Sequence, residues 1–325
     1  MRVFVAGATG AIGKRLIPAL RERGHEVVAM TRSPDKIAVL EAVGAEAVVA
    51  DALDRQALQR VVRQTRPDVV MHQLTSLAHV KQLRHFDREF AVTNRLRTEG
   101  TDNLLAAARS VNAKRFIAQS YGGWNYAPTG NGLKTERDEF DPRPLREQQQ
   151  SLAAIRQLEQ SVLSGRDMIG IALRYGTLYG PGTNLAVDGD LADLVRARRL
   201  PIIGNGQGVW SFIHVDDAAS AAIAAMERGA GVYNIADDEP APEAIWLPEL
   251  ARALGAPPPR HVPGWLGRLL AGEVTVSLMT RVRGISNAKA KAELRWTPRY
   301  RNWREGFRSG LGAHLSADVT GVAAG

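Results

Sequence analysis

The chain has 325 residues, no cysteine, and a formal net charge of +8 from 42 Lys and Arg against 34 Asp and Glu. That length admits one large α/β domain or a domain with a smaller lobe, and the lack of cysteine excludes disulfides, thiolate catalysis and Cys-ligated metals together. Of the 42 basic residues 35 are Arg and seven Lys, scattered with no stripe of interleaved aromatics, so no nucleic-acid partner is expected.

No apolar run approaches the ~20 residues of a membrane span, and Met1 and Arg2 run straight into an apolar strand. The expectation is a cytoplasmic protein with no membrane partner and no signal peptide.

Arg2 to Ala6 reads as a buried strand, followed by Gly7, Gly10 and Gly13 and then the helical run Ile12, Leu16, Ile17, Leu20. Strand, glycine turn and helix in this order suit a dinucleotide, whose pyrophosphate needs a tight turn and a helix N-terminus. Gly7, Thr9, Gly10, Ala11, Ile12 and Gly13 are therefore candidate cofactor contacts. After a helix ending near Gly24, the strand His25 to Thr31 runs into Arg32 and Ser33, with no carboxylate before Asp35. An acidic residue there would hold a ribose hydroxyl, whereas Arg suits a 2′-phosphate, so NADP(H) is expected, with NAD(H) as the alternative.

Helix Pro34 to Val43, strand Ala45 to Ala50, helix Asp54 to Thr65 and strand Asp68 to His72 continue the alternation. It predicts an α/β, Rossmann-type, doubly wound parallel sheet. Asp51 and Ala52, then Leu74 and Thr75, fall at strand ends where ligands bind; Asp51 suits either an adenine amino group or the cap of the next helix. His72, among apolar neighbours, reads as a satisfied core histidine.

A long helix over Asp87 to Val111 precedes strand Arg115 to Gln119. At its mouth stand Gln119, a cofactor candidate, and Ser120, Tyr121 and Tyr126, whose hydroxyls are candidates for polarising a substrate carbonyl. Trp124 fits the wall of an apolar pocket. Strand Met168 to Arg174 ends in Tyr175 and Gly176, where backbone should approach the nicotinamide. His214, Asp216 and Asp217 form a tempting acid–base cluster, with an Asp cap for helix Ala218 to Arg228 the alternative. Residues 313–325 read as a frayed tail, and no metal-binding spacing occurs.

GATGAIG at Gly7 to Gly13, GTDNLLAAA at Gly100 to Ala108, Arg115 to Ser120, LRYGTLYGPG at Leu173 to Gly182, FIHVDDAA at Phe212 to Ala219, YNIADDEP at Tyr233 to Pro240 and AKAKAELRWTPRY at Ala288 to Tyr300 together resemble the extended short-chain dehydrogenases/reductases, the NAD-dependent epimerase/dehydratase group. The resemblance implies a Rossmann domain over 1–180, a smaller C-terminal substrate lobe mainly within 181–312, and substrate-wall residues Tyr179, Asn184, Trp210 and Phe212 beside Trp124. It also implies Tyr-x-x-x-Lys on the helix after the Ser strand, with Glu four residues beyond the Lys. With Glu159 in that place, Ser151 stands for the Tyr and Ile155 for the Lys, and no Tyr-x-x-x-Lys occurs anywhere in the chain.

Among atypical members the chain resembles actinobacterial ketoreductases of aromatic polyketides such as angucyclinones. The resemblance implies an NADPH-dependent ketoreductase of antibiotic biosynthesis, a monomer or homodimer, acting on a small flat polyhydroxylated molecule, with Ser120, Tyr121 or Tyr126, an ordered water or a hydroxyl of the substrate meeting the alkoxide. A non-catalytic NADP-binding sensor and a nucleotide-sugar epimerase or dehydratase are the alternatives.

Overall fold

The computed structural model describes residues 1–77, 83–130, 132–165 and 167–312; the tail expected over 313–325 lies outside them. Seven strands form one sheet: β1 (Arg2–Ala6), β2 (Glu26–Thr31), β3 (Glu46–Val49), β4 (Val69–His72), β5 (Arg115–Tyr121), β6 (Ile169–Tyr175) and β7 (Gly231–Ile235). Their order is β7-β6-β5-β4-β1-β2-β3, with every pair parallel. This is the doubly wound arrangement, in which the strand order reverses between β1 and β4.

The two faces follow from the period of two along each strand. Val3 and Val5 point with Val27, Ala29, Ile171 and Leu173 toward α1 (Gly13–Glu22) and α7 (Val215–Glu227). Phe4 and Ala6 point with Val28, Met30 and Phe116 toward α3 (Arg55–Thr65), α5 (Thr101–Arg109) and α6 (Gln149–Leu163). Between α1 and α3 lies the short α2 (Ile37–Ala42). Asp54, not Asp51, caps α3, accepting from the amides of Gln56 and Ala57 at 3.1 and 3.0 Å.

The helix expected over Asp87 to Val111 is broken. It comprises a turn at Phe86–Glu89, α4 (Ala91–Arg95), a π-turn at Leu96–Gly100, and α5. Side-chain hydroxyls compete here for backbone acceptors: Thr98 donates to the Asn94 carbonyl at 3.0 Å, and Thr101 donates to Leu96, five residues back, at 3.4 Å. His72 is a satisfied core histidine. Its Nδ1 accepts from the Leu74 amide, its Nε2 lies 3.2 Å from the Leu96 carbonyl, and burial lowers its pKa to about 4, so the ring is neutral.

The second lobe packs Tyr179, Phe212, Trp246, Trp303 and Phe307 into one aromatic core, with α8 (Glu243–Ala253) and α10 (Trp303–Ser309) around it. Tyr179 and Phe212 are wholly buried there, which corrects their expected place on a substrate wall. Their period and neighbours direct them into the lobe's own core. Between the lobes, Val274 and Leu278 of α9 (Glu273–Thr280) pack on Phe86 with Trp124 and Trp210 beside them.

Glu243 is also wholly buried in this lobe, and burial pushes its carboxyl up to about 8. The folded chain therefore keeps a proton that the unfolded chain releases near pH 4. Stability is full below that range and declines as pH rises toward 8. Glu243→Gln should melt like the parent near pH 4 and higher than it at alkaline pH, by an increment of roughly 2–5 kcal/mol, read from denaturation curves across the range.

Candidate active site

Because all seven strands are parallel, their carboxyl ends lie along one edge, and the expected cofactor residues gather there. At β1, Gly7 adopts φ +97°, and a Cβ on Gly13 would stand 2.3 Å from the Gly7 carbonyl oxygen. Gly10 differs: a Cβ there would meet only the Gly7 oxygen at 3.3 Å, on an exposed face. The amides of Ala11 and Ile12 have no partner among the described residues, and α1 carries no acidic residue in its first turn. An exposed glycine face at Gly10, two free amides and a helix N-terminus fit a pyrophosphate. Thr9 flanks that face, part-exposed.

At the end of β2, Arg32 and Ser33 are exposed, with the Ser33 amide turned in to Thr31 Oγ1 and Arg32 without a partner among the described residues. Beyond β3, Asp51 accepts from the Leu53 amide at 2.9 Å, and the buried Ala52 takes a hydrogen bond from Asn103 on its carbonyl. Leu74 and Thr75 follow β4 half-buried, and Gln119 is half-buried on β5. Tyr175 turns its ring into the core and donates to the Ala218 carbonyl at 3.2 Å, leaving only its backbone and that of Gly176 on the edge.

Two of the three hydroxyls expected to face a substrate are committed elsewhere. Ser120 donates to Glu159 Oε1 at 2.6 Å, and Arg174 clamps Glu159 through Nε and Nη2 at 2.8 and 2.6 Å. Arg174 Nη1 also donates to the Tyr126 hydroxyl at 2.7 Å, which donates in turn to Asn234 Oδ1 at 2.7 Å. Burial opposes the Arg174 charge, yet Glu159 and Tyr126 hold its pKa above the ordinary value, while burial pushes Tyr126 up to about 12. The hydroxyls of Ser120 and Tyr126 are thus both engaged in a buried network, although the Tyr126 side chain also lines the cleft beside Trp124. Arg174, whose signal among 35 Arg is nil, organises it.

Tyr121 remains. It lines an open pocket of about 230 Å³ with Thr177, Trp210, Ser211, Leu278 and Val282. Burial raises its pKa, while the Thr177 hydroxyl and the charge of Arg97 pull it back. Trp124 stands 6.2 Å from the Tyr121 ring and lines a neighbouring cleft of about 380 Å³ with Asp141, Arg143 and Arg281. Trp210 donates its indole N–H to the Leu278 carbonyl at 3.1 Å, so it reaches the pocket as expected; Asn184 instead lies exposed on the loop after Tyr179, outside both linings.

Neither Ser151 nor Ile155, the residues that the resemblance sets at the Tyr and Lys positions, has the chemistry of that pair. Ser151 is fully buried and donates to Asp87 Oδ1 at 2.6 Å, and Ile155 is buried with an aliphatic side chain. The His214 cluster is structural. His214 itself caps α7 by accepting from the Asp216 amide at 3.2 Å, in place of the expected Asp cap. Asp216 pairs with Arg15, and Asp217 receives the amides of Arg299 and Tyr300 at 2.6 and 3.0 Å.

Residues 3–236 match the model of the NAD dependent epimerase/dehydratase family. The chain belongs to that family. It is 47% identical over 314 residues to the 3-diazoavenalumate denitrifying reductase of a Streptomyces species, covering 94% of this chain and 99% of that one. It is 30% identical over 245 residues to a 4-hydroxy-2-methyl-3-oxo-4-farnesyl-3,4-dihydroquinoline-1-oxide ketoreductase of Stigmatella aurantiaca, covering 74% and 69%. The UDP-glucose 4-epimerase of Thermotoga maritima shares its fold, with a TM-score of 0.76 at 22% identity over 96% of this chain and 97% of that one. Among the described residues no helix is long and apolar enough to cross a membrane.

Proposed function

We propose that this family member is an NADPH-dependent reductase of a flat aromatic small molecule, and that the group it reduces is a diazo group on the ring. The observation that carries the reading is the 47% identity, over nearly the whole of both chains, to a reductase named for denitrifying a diazo compound. A reduced nicotinamide bound at the strand ends supplies a hydride. The glycine turn and the amides of Ala11 and Ile12 hold the pyrophosphate, and Arg32 with Ser33 receives the 2′-phosphate.

The chemistry accounts for positions 151 and 155. Ser151 and Ile155 supply no proton, and a diazo arene needs none at an oxygen. Its diazonium form accepts the hydride, the carbon–nitrogen bond becomes carbon–hydrogen, and dinitrogen leaves; the positive charge and the hydride cancel. Tyr121, Trp210 and Leu278 flank the ring and keep water from it.

A second reading, reduction of a ketone, is favoured by the ketoreductase relative. It forms an alkoxide, and Tyr121, beside Thr177 in the pocket lining, is the hydroxyl there to meet it.

The test measures dinitrogen release and NADPH oxidation with an ortho-diazophenol bearing an acidic side chain, and NADPH oxidation with aromatic ketones. Dinitrogen release matching NADPH consumption supports the diazo reading. Turnover of ketones alone, lost roughly 100-fold in Tyr121→Phe, replaces it with the ketone reading. Arg32→Ala should raise KM for NADPH about 10-fold or more and leave KM for NADH unchanged; equal effects on both would remove the 2′-phosphate contact.

A further inference from the structure

Arg97 lies in the π-turn Leu96–Gly100 and is 93% withdrawn from solvent, at 7% exposure. Π-turns recur at functional sites because the extra residue re-aims side chains. Buried cations are ordinarily paired with a carboxylate, since an unpaired charge out of water is costly. Arg174 obeys that rule through Glu159. Arg97 does not: among the described residues it makes no ion pair, and its one hydrogen bond is a long contact of 3.5 Å to Asn94 Oδ1. Asn94 in turn donates to Ser151 Oγ at 2.9 Å, so Arg97 stands one side chain away from the position where the family's Tyr is absent. Its charge acts on Tyr121, which lines the pocket.

We propose that Arg97 is a substrate-binding cation, receiving an anionic oxygen carried on an arene that sits in the pocket beside Tyr121. The inference rests on the reductase reading and names what its substrate must carry. Two features set an arene anion apart from the phosphates of a dinucleotide. Tyr121 ends β5, and that end is two strands from β1 and its glycine turn, roughly 10 Å at ordinary strand spacing, so the arene beside Tyr121 is set apart from the phosphates. The pocket walls around Tyr121, on which the charge of Arg97 acts, are rings and aliphatic chains, Trp210, Leu278 and Val282, with the Thr177 hydroxyl as a further donor.

Burial without a partner lowers the pKa of Arg97 to about 10, in keeping with a charge that lacks its counterion until ligand arrives. A substrate oxygen placed there is met by the guanidinium, and by Tyr121 as a second donor. When hydride arrival cancels a diazonium charge on the same ring, the negative charge left on a ring oxygen is already paired. Arg97 thereby supplies the cation that Ile155 cannot.

The test uses the full chain and probes that need no turnover. Binding of 4-nitrophenolate, 4-nitrobenzoate and neutral nitrobenzene is followed by quenching of the pocket tryptophans, and NADPH binding is titrated separately. Arg97→Met should weaken whichever anion binds by roughly 10- to 100-fold, with nitrobenzene and NADPH held within about twofold. Loss of phenolate binding or of benzoate binding assigns the oxygen to a ring hydroxyl or to an acid. Arg97→Lys should retain anion binding within about fivefold. Without ligand, Arg97→Met should melt no lower than the parent, because a buried unpaired charge has been removed. Anion binding unchanged, nitrobenzene weakened equally, NADPH weakened instead, or an unliganded Arg97→Met that melts well below the parent each overturns the proposal. None of these readouts depends on whether a diazo arene or a ketone is reduced.

Discussion

Arg174→Met should lower the thermal midpoint by roughly 5–10 °C, the largest loss expected of any single side chain near the strand ends. Arg174 and Glu159 are both only 8% exposed, and Arg174 spans Glu159 on one side and Tyr126 on the other. Removing the guanidinium leaves Glu159 with the Ser120 hydroxyl as its hydrogen-bond donor and strands a carboxylate out of water, at a cost of roughly 3–5 kcal/mol. The guanidinium also covers the Phe140 ring at 4.3 Å, so packing is lost with charge. Glu159→Met alone should be comparably harmful, because it strands the cation. The double replacement should recover most of the loss, since two apolar side chains leave nothing unpaired. Calorimetry on the parent, both single variants and the double variant closes the cycle; additive losses would mean that the pair is not coupled.

Gly13→Ala and Gly10→Ala should fail in different ways. A Cβ at Gly13 would lie 2.3 Å from the Gly7 oxygen and 2.5 Å from the Ala8 oxygen, both backbone atoms that cannot rotate away. The turn must open, so dinucleotide affinity should fall about 100-fold or more, together with stability. At Gly10 the single neighbour within 4 Å is the Gly7 oxygen, at 3.3 Å, which has to give by only a few tenths of an ångström, so Gly10→Ala should lose much less in midpoint than Gly13→Ala. Its methyl would occupy the space where backbone approaches a pyrophosphate, and the loss should fall mainly on affinity. Cofactor titration and melting on both variants check this. A Gly10→Ala protein with full affinity would place the phosphates elsewhere.

Much of the fold was legible because it is written in local chemistry. The strand apolar on both faces, the glycine spacing and the alternation of strands with amphipathic helices each depend on neighbours a few residues apart. The position of the cofactor edge then follows from parallel strands. The absence of Tyr-x-x-x-Lys could likewise be read directly, since a missing motif requires no geometry.

What residues 115–126 do could not be read in that way. Ser120, Tyr121 and Tyr126 are equivalent hydroxyls in sequence, and only contacts across 39, 48 and 108 positions commit Ser120 to Glu159 and Tyr126 to Arg174 and Asn234. Tyr179 and Phe212 looked like pocket walls, and packing of the second lobe took them into its core.

The sequence by itself determined the doubly wound sheet, the glycine turn and the absence of any Tyr-x-x-x-Lys motif, because periodicity, turn chemistry and residue identity are local properties of the chain. Tertiary structure alone decided which hydroxyls the buried network takes up and that Arg97, among the described residues, is buried without a counterion. Burial and pairing depend on what distant segments bring to the same place, and no spacing along the chain encodes that.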